Sequence, residues 1–142
     1  MMQVKVFISG PIQGMEDKQD YRDRLRKILL AYGFEPIDPW LREKVMYSWK
    51  GERWWRDVSS KGFIERDLAD IEKCDILVAY LPVLSAGTCM ELFYAKRLGK
   101  KTIVICEIEN PSPWIIFHSD ITFKTLNEFE KFLKETSGKG LE

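Results

Sequence analysis

Two short apolar runs constrain the fold of this chain more than any other feature. Residues 76–81 read Ile-Leu-Val-Ala-Tyr-Leu, between an aspartate and a proline, and residues 4–8 form a similar run that stops at a Ser-Gly-Pro turn. Strands that are apolar on both faces are typical of parallel sheets covered by helices on both sides. Because strand-like and helical patterns alternate along the chain, we predict right-handed βαβ units. The expected fold is a doubly wound, flavodoxin- or Rossmann-like α/β domain of about five parallel strands.

The other predicted elements follow from local periodicity and turn residues. They are helices over 20–32, about 62–73 and 88–98, strands over 34–37 and 102–106, and a strand and an amphipathic helix within 121–134. Residues 40–61 contain four of the five tryptophans among many charges, so we interpret them as an irregular, mostly helical excursion rather than a linker. The glycine-rich residues 136–142 are expected to fray.

Composition narrows the class of protein. The 142 residues suit one domain, 1–142, and 22 basic against 22 acidic residues leave no net charge. This balance argues against binding a nucleic-acid polymer through its phosphates. We also expect no membrane segment and no signal peptide, because no apolar run has the necessary length or flanks. Three widely spaced cysteines suit reduced thiols better than disulfides or a zinc site, so a cytoplasmic protein is expected.

The loops that follow the first and third strands are the first places to look for a ligand site. In a doubly wound sheet, ligands bind outside the carboxyl ends of the strands, where the strand order reverses. The loop over residues 9–14 carries Gly10 and Gly14, which would allow a ligand to approach the backbone closely. It lacks both the dinucleotide fingerprint and the lysine of a P-loop. An ordinary strand-to-helix turn explains these residues equally well.

Residues 85–91 allow two interpretations. Ser85 and Gly87 precede a predicted helix, whose first amides could hold an anion such as phosphate, and Glu91 would face the same crevice. Thr88 and Glu91 also have the spacing of a capping box, in which each side chain satisfies an amide at the helix end. From the local sequence alone, capping is the better-supported interpretation.

Three further polar residues are candidates for a functional role. Asp67 borders the apolar stripe of its predicted helix, where a raised pKa could make it a proton donor, although most acids in such helices face solvent. Asp75, at the start of the third strand, is expected to be structural. His118, the only histidine, is expected to pack or to lie at the surface. The tryptophans could stack on a base, but most are expected in the core.

Taken together, these segments resemble the nucleoside 2-deoxyribosyltransferase family, including its branch of 2′-deoxynucleoside 5′-monophosphate N-hydrolases. The resemblance runs from Val4 to about Asp120 and is carried by residues 9–14, Asp67-Leu68, Cys74-Asp75-Ile76 and Ser85-x-Gly87-Thr88-x-x-Glu91-Leu92. It implies that Glu91 is a nucleophile that attacks the anomeric carbon and forms a covalent sugar ester. It further implies that Asp67 donates or relays a proton to the leaving base. Neither a metal nor an organic cofactor is implied.

The resemblance also implies where substrate is bound. The strand-one positions would be Phe7, Gly10, Ile12 and Gly14; Trp40, after the second strand, is the first candidate for the base pocket. Phe7 stands where the family commonly has a tyrosine that orients the nucleophile. We therefore expect either Tyr80 or a backbone group to replace that hydroxyl, or activity to be modest.

Two serines bear on the choice of substrate. Ser85 and Ser112 stand where transferases of the family have an aspartate for the free 5′-hydroxyl and an asparagine from a neighbouring subunit. The monophosphate hydrolases use serines at both positions, and a hydroxyl accepts a phosphate that a carboxylate would repel. A nucleotide substrate, with Gly87 beside its phosphate, and a homodimer or larger assembly are therefore favoured. A base-exchanging transferase and a non-catalytic nucleotide-binding module on the same fold remain alternatives.

Overall fold

The computed structural model describes residues 3–51, 54–57 and 60–142, with residues 57, 60 and 61 described by their backbone alone. The predicted excursion at 40–61 therefore includes four residues, 52–53 and 58–59, that lie outside the described part. Five parallel strands form one sheet in the order β2-β1-β3-β4-β5. They are β1 (Lys5–Ser9), β2 (Glu35–Ile37), β3 (Ile76–Leu81), β4 (Lys101–Cys106) and β5 (Ile121–Phe123). The predicted doubly wound α/β fold is confirmed.

Helices cover both faces of this sheet. The helices in the described residues are α1 (Asp20–Ala31), α2 (Trp40–Lys50), α3 (Trp54–Asp57), α4 (Ser60–Lys73), α5 (Ala86–Arg97), α6 (Pro113–Phe117) and α7 (Leu126–Thr136). The apolar residues of α1 and α7 form one core cluster, and those of α4, α5 and α6 form a second cluster on the opposite face. None of the described helices has both the length and the apolar character needed to cross a membrane.

The continuous apolar character of β1 follows from its burial on both faces. Val6 and Ile8 belong to the cluster with α1 and α7, whereas Phe7 belongs to the cluster with α4 and α5. All three side chains are fully buried. Alternate residues of a strand point to opposite faces, so a strand between two helical layers must be apolar at every position.

The strand order places one crevice at the centre of the sheet. β1 pairs with β2 on one side and with β3 on the other, and in register Phe7 lies opposite Leu77. The chain therefore places β2 on one side of β1 and β3 on the other, so the strand order reverses between β1 and β3. The loops that follow these two strands open at the same carboxyl edge, as the topology rule predicts.

The described part of the tryptophan-rich excursion is mostly helical, as expected, but its tryptophans differ in their surroundings. Trp40 and Trp54 are buried, and the Trp54 ring lies 5.2 Å from that of Phe63. Trp49 is 85% exposed. Trp114, outside the excursion, is also largely exposed, so the expectation that most tryptophans lie in the core holds for only part of the set.

The carboxyl terminus was expected to fray, but it is ordered. Residues Lys139–Leu141 form a 3-10 turn, and the Leu141 side chain is 1% exposed within the core cluster of α1 and α7. Lys101 Nζ donates hydrogen bonds to the carbonyl oxygens of Gly140 (3.1 Å) and Glu142 (2.9 Å). One buried leucine thus offsets the flexibility that the neighbouring glycines would otherwise confer.

Candidate active site

The centre of the candidate site is a hydrogen bond between β1 and α5. Ser9, the last residue of β1, is fully buried, and Glu91 lies in the second turn of α5. Ser9 Oγ donates to Glu91 Oε1 at 2.6 Å. Burial raises the pKa of Glu91 to about 7, the Ser9 hydrogen bond and the charge of Arg22 oppose this rise, and the charge of Asp67 adds to it. Glu91 is thus a poorly solvated carboxyl group that ionises near neutral pH, as a nucleophile or base requires.

Hydrogen bonds at the start of α5 decide between the two interpretations of residues 85–91. The helix begins at Ala86, two residues earlier than predicted, with Ser85 as its N-cap. Ser85 Oγ accepts from the Thr88 amide at 3.3 Å and from Thr88 Oγ1 at 3.0 Å. Glu91 therefore lies too far along the helix to form a capping box, and that interpretation is wrong. Ser85 caps the helix, and Glu91 instead bonds to Ser9.

The start of α5 presents polar groups at the crevice. In a helix the first amides have no intrahelical acceptor, and here the Thr88 amide is satisfied by Ser85. The amides of Ala86 and Gly87 remain as donors, and the Ser85 hydroxyl, which accepts both bonds from Thr88, retains its own proton to donate. Gly87 is exposed, and a Cβ there would meet nothing within 4 Å, so a ligand has access to this backbone.

A buried arginine organises the loop after β1. Arg22 on α1 is 1% exposed, and its guanidinium donates to the carbonyl oxygens of Ile8 (3.3 Å) and Gly10 (2.9 Å). It also pairs with Asp38 Oδ1 at 2.8 Å. At Gly10 any Cβ would overlap the Tyr21 ring, so this close approach requires glycine. Sequence reasoning missed Arg22, although its spacing from Leu25 places it on the apolar stripe of α1.

Two other predicted residues of the loop shape its surface. Ile12 is half-buried, and Gly14 is exposed with a φ of +81°, in the left-handed region that favours glycine. The loop over 9–14 is therefore held by Arg22 on its inner side and turned by Gly14 on its outer side.

Trp40 is positioned by the same ion-pair network. The backbone amide of Trp40 donates to Asp38 Oδ1 at 3.0 Å, and Arg26 Nη1 pairs with Asp38 Oδ2 at 2.6 Å. The Trp40 side chain is 8% exposed and lines a cavity of about 200 Å³ that also includes Glu16 and Gln19. Neither Glu91 nor Asp67 lines that cavity, so a role of Trp40 in the base pocket stays a prediction.

Asp67 on α4 is buried, although most acids at the edge of such an apolar stripe face solvent. It is 7% exposed, and Arg42 Nη2 pairs with its Oδ1 at 3.0 Å while Arg42 Nη1 pairs with Asp70 at 2.8 Å. Burial raises the pKa of Asp67, while the adjoining Glu43 and the charge of Arg42 act in the opposite direction. Asp67 therefore combines an acid's capacity to hold a proton with groups that stabilise its anion.

Glu43 is a second residue that sequence reasoning missed. It lies on α2 and is 2% exposed, and its Oε2 atom is buried with no hydrogen-bond partner among the described residues. Burial, the adjoining Asp67 and the charge of Glu91 together raise the pKa of Glu43 to about 9, against the opposing charge of Arg22. The only sequence signal was its spacing of three residues from Trp40, which places both on one face of the helix.

The sequence profile of the nucleoside 2-deoxyribosyltransferase family matches residues 6–139. The chain belongs to this family. Its structure resembles the 2-deoxyribosyltransferase of the psychrotolerant bacterium Bacillus psychrosaccharolyticus, with a TM-score of 0.70, 18% identity, and coverage of 94% of this chain and 96% of that one. No curated protein sequence gives a significant match.

Two further solved structures are similar. The Clostridium botulinum CMP N-glycosidase BcmB gives a TM-score of 0.62 at 22% identity, over 92% of this chain and 98% of that one. The 2-deoxyribosyltransferase of Leishmania mexicana gives 0.61 at 17% identity, over 93% and 97%. At these identities the similarity establishes the fold. The chain is therefore a member of an enzyme family named for nucleoside 2-deoxyribosyl transfer, and both deoxyribosyltransferases and an N-glycosidase are among its structural neighbours.

The family's tyrosine hydroxyl, which Phe7 lacks, is replaced by a group other than those expected. Phe7 is fully buried in the core with Leu77 and does not line the crevice, and the Tyr80 hydroxyl donates to Glu107 at 2.8 Å rather than to Glu91. Ser9 supplies the hydrogen bond to Glu91 instead. Because side chains two apart on a strand share a face, Ser9 could have been recognised as the substitute for a hydroxyl at position 7.

Ser112 lies away from the other candidates of this deoxyribosyltransferase-family chain. It caps α6, with its Oγ accepting from the Trp114 amide at 3.2 Å. It lines an apolar cavity of about 400 Å³ together with Met90, and neither Glu91 nor Asp67 is among the described residues around that cavity. The structure of one chain therefore brings together Ser9, Glu91, Glu43 and Asp67, and leaves Ser112 on a separate surface.

Proposed function

We propose that this protein cleaves the N-glycosidic bond of 2′-deoxyribonucleoside 5′-monophosphates and releases the free base through a covalent deoxyribosyl–Glu91 intermediate. The observation that carries the proposal is the Glu91 carboxyl group, held at 2.6 Å by Ser9 and tuned by burial to ionise near pH 7. Because Ser9 donates its hydrogen bond to Oε1 of Glu91, Oε2 is the oxygen available to attack.

The reaction is a double displacement. Glu91 Oε2 bonds to the anomeric carbon as the bond between that carbon and the base breaks, and the base takes up the electron pair and a proton from Asp67. Water then bonds to the anomeric carbon, the ester bond to Glu91 breaks, and the proton of the water returns to Asp67. Glu91 and Asp67 thus finish the cycle in their starting states, and the sugar phosphate is released.

The preference for a phosphate rests on the start of α5. Ser85 and the amides of Ala86 and Gly87 offer three donors, and no acidic residue stands between Ser85 and Thr88. Donors at a helix N-terminus favour a doubly charged phosphate, whereas a carboxylate at position 85 would favour a 5′-hydroxyl.

We further propose that the working unit is a homodimer in which Ser112 reaches the partner's site. Three large apolar side chains near Ser112 are about three-quarters exposed: Met90 (71%), Trp114 (72%) and Phe117 (75%). Stable homodimer interfaces are apolar, and a second copy of this chain would cover these residues while bringing Ser112 to a new neighbour. Analytical ultracentrifugation tests this directly: Trp114→Glu is expected to yield monomers that have lost activity, and an active monomer would contradict it.

The decisive assay is incubation of the purified protein with mixed deoxynucleoside monophosphates, followed by chromatography for free base. We expect base release from monophosphates in preference to nucleosides. The rate of this release should fall by several orders of magnitude in Glu91→Gln. Glu109→Gln, which removes an exposed carboxylate, is the matched control.

The same assay separates the alternatives. A new nucleoside formed when a second base is added would make the protein a base-exchanging transferase, which the transferases among its structural neighbours keep as the second candidate. Nucleotide binding with no base release under any condition would make it a non-catalytic binding module.

A further inference from the structure

Arg22 on α1 is a fully buried arginine that binds the backbone on both sides of Ser9. Its guanidinium donates to the carbonyl oxygens of Ile8 at 3.3 Å and Gly10 at 2.9 Å, the residues immediately before and after Ser9. Ser9 in turn donates to Glu91 at 2.6 Å. Two hydrogen bonds to the backbone and one from the Ser9 side chain therefore connect Arg22 with the carboxyl group that we propose as the nucleophile.

Packing alone does not explain why an arginine is buried at this position. Removing a guanidinium from water is costly unless its charge and its donors are satisfied, and apolar residues of similar volume often pack equally well. The next residues along the same face of α1, Leu25 and Leu29, are apolar and buried. Arg22 differs from them in presenting a planar fork of donors, which can bind two carbonyl oxygens at once. Its burial therefore serves the end of β1 rather than the core.

Other side chains hold the guanidinium itself in place. Gln19 Oε1 accepts from Arg22 Nε at 2.6 Å, and Asp38 Oδ1 pairs with Arg22 Nη1 at 2.8 Å. The Asp38 side chain is fully buried, and its second oxygen pairs with Arg26 at 2.6 Å. The guanidinium is thus fixed from the side of α1 and β2, and it directs its remaining donors at the end of β1.

The groups that face Glu91 make the placement of Ser9 important. The ionisable groups of the described chain that interact with Glu91 lie on three other helices: Tyr21 and Arg22 on α1, Glu43 on α2 and Asp67 on α4. Burial and the charge of Asp67 raise the pKa of Glu91 to about 7, against the Ser9 hydrogen bond and the charge of Arg22. Both influences that favour the ionised carboxylate therefore involve Arg22, one through the backbone and one through its charge.

We infer that Arg22 is a positioning residue for the nucleophile: by binding the carbonyl oxygens on both sides of Ser9, it fixes the Ser9 hydroxyl where it donates to Glu91. The inference rests on the proposed function, since it takes Glu91 as the nucleophile. Without this placement the contact between Ser9 Oγ and Glu91 Oε1 weakens. A smaller fraction of Glu91 is then ionised at a given acidic pH, and Oε2, the oxygen proposed to attack, loses its fixed orientation.

Arg22→Lys tests the placement of Ser9 at constant charge, because lysine keeps the positive charge but cannot reproduce the planar fork. A weaker Ser9 bond raises the pKa of Glu91. We therefore expect the acid limb of kcat/KM to move up by roughly 0.5–1 pH unit, which is a loss of about 3-fold to 10-fold below the limb. Arg24→Lys, on the same helix with its side chain 42% exposed, is the matched control and should leave the limb in place.

A double-mutant cycle with Ser9→Ala supplies a readout that a merely structural role would not move. If Arg22 acts through Ser9, then Arg22→Lys should change kcat/KM by less than about twofold once Ser9 has been replaced by alanine. A loss that is the same at every pH, or one that multiplies with the loss in Ser9→Ala, would overturn the inference.

A second variant keeps the test available if Arg22→Lys does not fold. Arg22→Met/Asp38→Asn removes both charges of the buried pair together, so neither is left uncompensated. Asparagine keeps an oxygen that can accept from the Trp40 amide, as Asp38 Oδ1 does at 3.0 Å. We expect the same upward movement of the acid limb, and again less than about a twofold further change when Ser9→Ala is added. An unmoved limb in this folded variant would contradict the role of Arg22.

A substrate-free measurement distinguishes failure of this inference from failure of the proposed function. In carboxyl ¹³C NMR of the intact protein, the Glu91 signal is the one absent from Glu91→Gln. We expect it to titrate near pH 7 in the wild type and at higher pH in both Ser9→Ala and Arg22→Lys. A titration that moves in Ser9→Ala but not in Arg22→Lys would overturn the inference even in an active enzyme. A protein in which both variants move the titration, but which never releases base, would support the placement of Ser9 by Arg22 and overturn the proposed function.

Discussion

Ser9 Oγ donates a 2.6 Å hydrogen bond to Glu91 Oε1, and this bond joins the carboxyl end of β1 to the second turn of α5. Burial raises the pKa of Glu91 to about 7, and the bond from Ser9 opposes that rise. It therefore sets the fraction of Glu91 that is ionised at neutral pH, which is the form that attacks in the proposed reaction.

Replacing Ser9 with alanine should move the acid limb of the pH–rate profile upward. Removing a donor to the charged form raises the pKa of Glu91, so less of it is ionised at a given acidic pH. A hydrogen bond to a charged group is worth about 1.5–3 kcal/mol, which corresponds to roughly one to two pH units. kcat/KM measured from pH 5 to 9 checks this. Ser48→Ala, on the exposed face of α2, is the control, and an unmoved acid limb in Ser9→Ala would contradict the prediction.

Asp67→Asn should slow the release of ordinary bases far more than the release of activated leaving groups. The amide keeps the size of the side chain but has no proton to transfer, and general acids contribute about 10²- to 10⁴-fold. Comparing kcat for a natural deoxynucleotide and for an activated analogue measures the difference. Asp70→Asn removes the other carboxylate bound by Arg42 and should affect both substrates equally. Equal losses in Asp67→Asn would show that Asp67 only positions the substrate.

Ser85→Asp should reverse the substrate preference without harming the helix. Aspartate is as good an N-cap as serine, so α5 should stay folded, but its charge would oppose a phosphate and accept a 5′-hydroxyl. Ser85→Ala should weaken phosphate binding by roughly 1.5–3 kcal/mol if the bond is charge-assisted. The measurement is kcat/KM for a deoxynucleoside and for its monophosphate. A wild type that prefers the nucleoside would favour the transferase instead.

Arg22→Ala should destabilise the whole fold. It would leave the buried Asp38 carboxylate without Arg22 and the Ile8 and Gly10 carbonyls without this donor, and breaking a buried pair costs about 3–5 kcal/mol. Urea denaturation measures the free energy of unfolding. Arg24→Ala, on the same helix with its side chain 42% exposed, should cost less than about 1 kcal/mol. Equal effects of the two variants would show that the Arg22 network contributes little.

The sequence by itself determined the fold of this protein, because the strands and helices depend on local patterns. The apolar run at residues 76–81 is buried as β3, alternation with helices produced the parallel sheet, and the topology rule located the two loops beside the crevice. The sequence placed Asp67 beside the apolar stripe of its helix, but only the structure shows that it is buried there rather than facing solvent.

Only the tertiary structure decided how the chemical groups are paired. Ser9 and Glu91 are 82 residues apart, and their contact depends on how α5 packs against the sheet. Glu43 lies in a charged stretch that locally indicates a surface, and it is buried because α2 meets Asp67 there. Local sequence specifies which face of an element is apolar, whereas a polar side chain gains its partner and its pKa from elements that arrive from elsewhere in the chain.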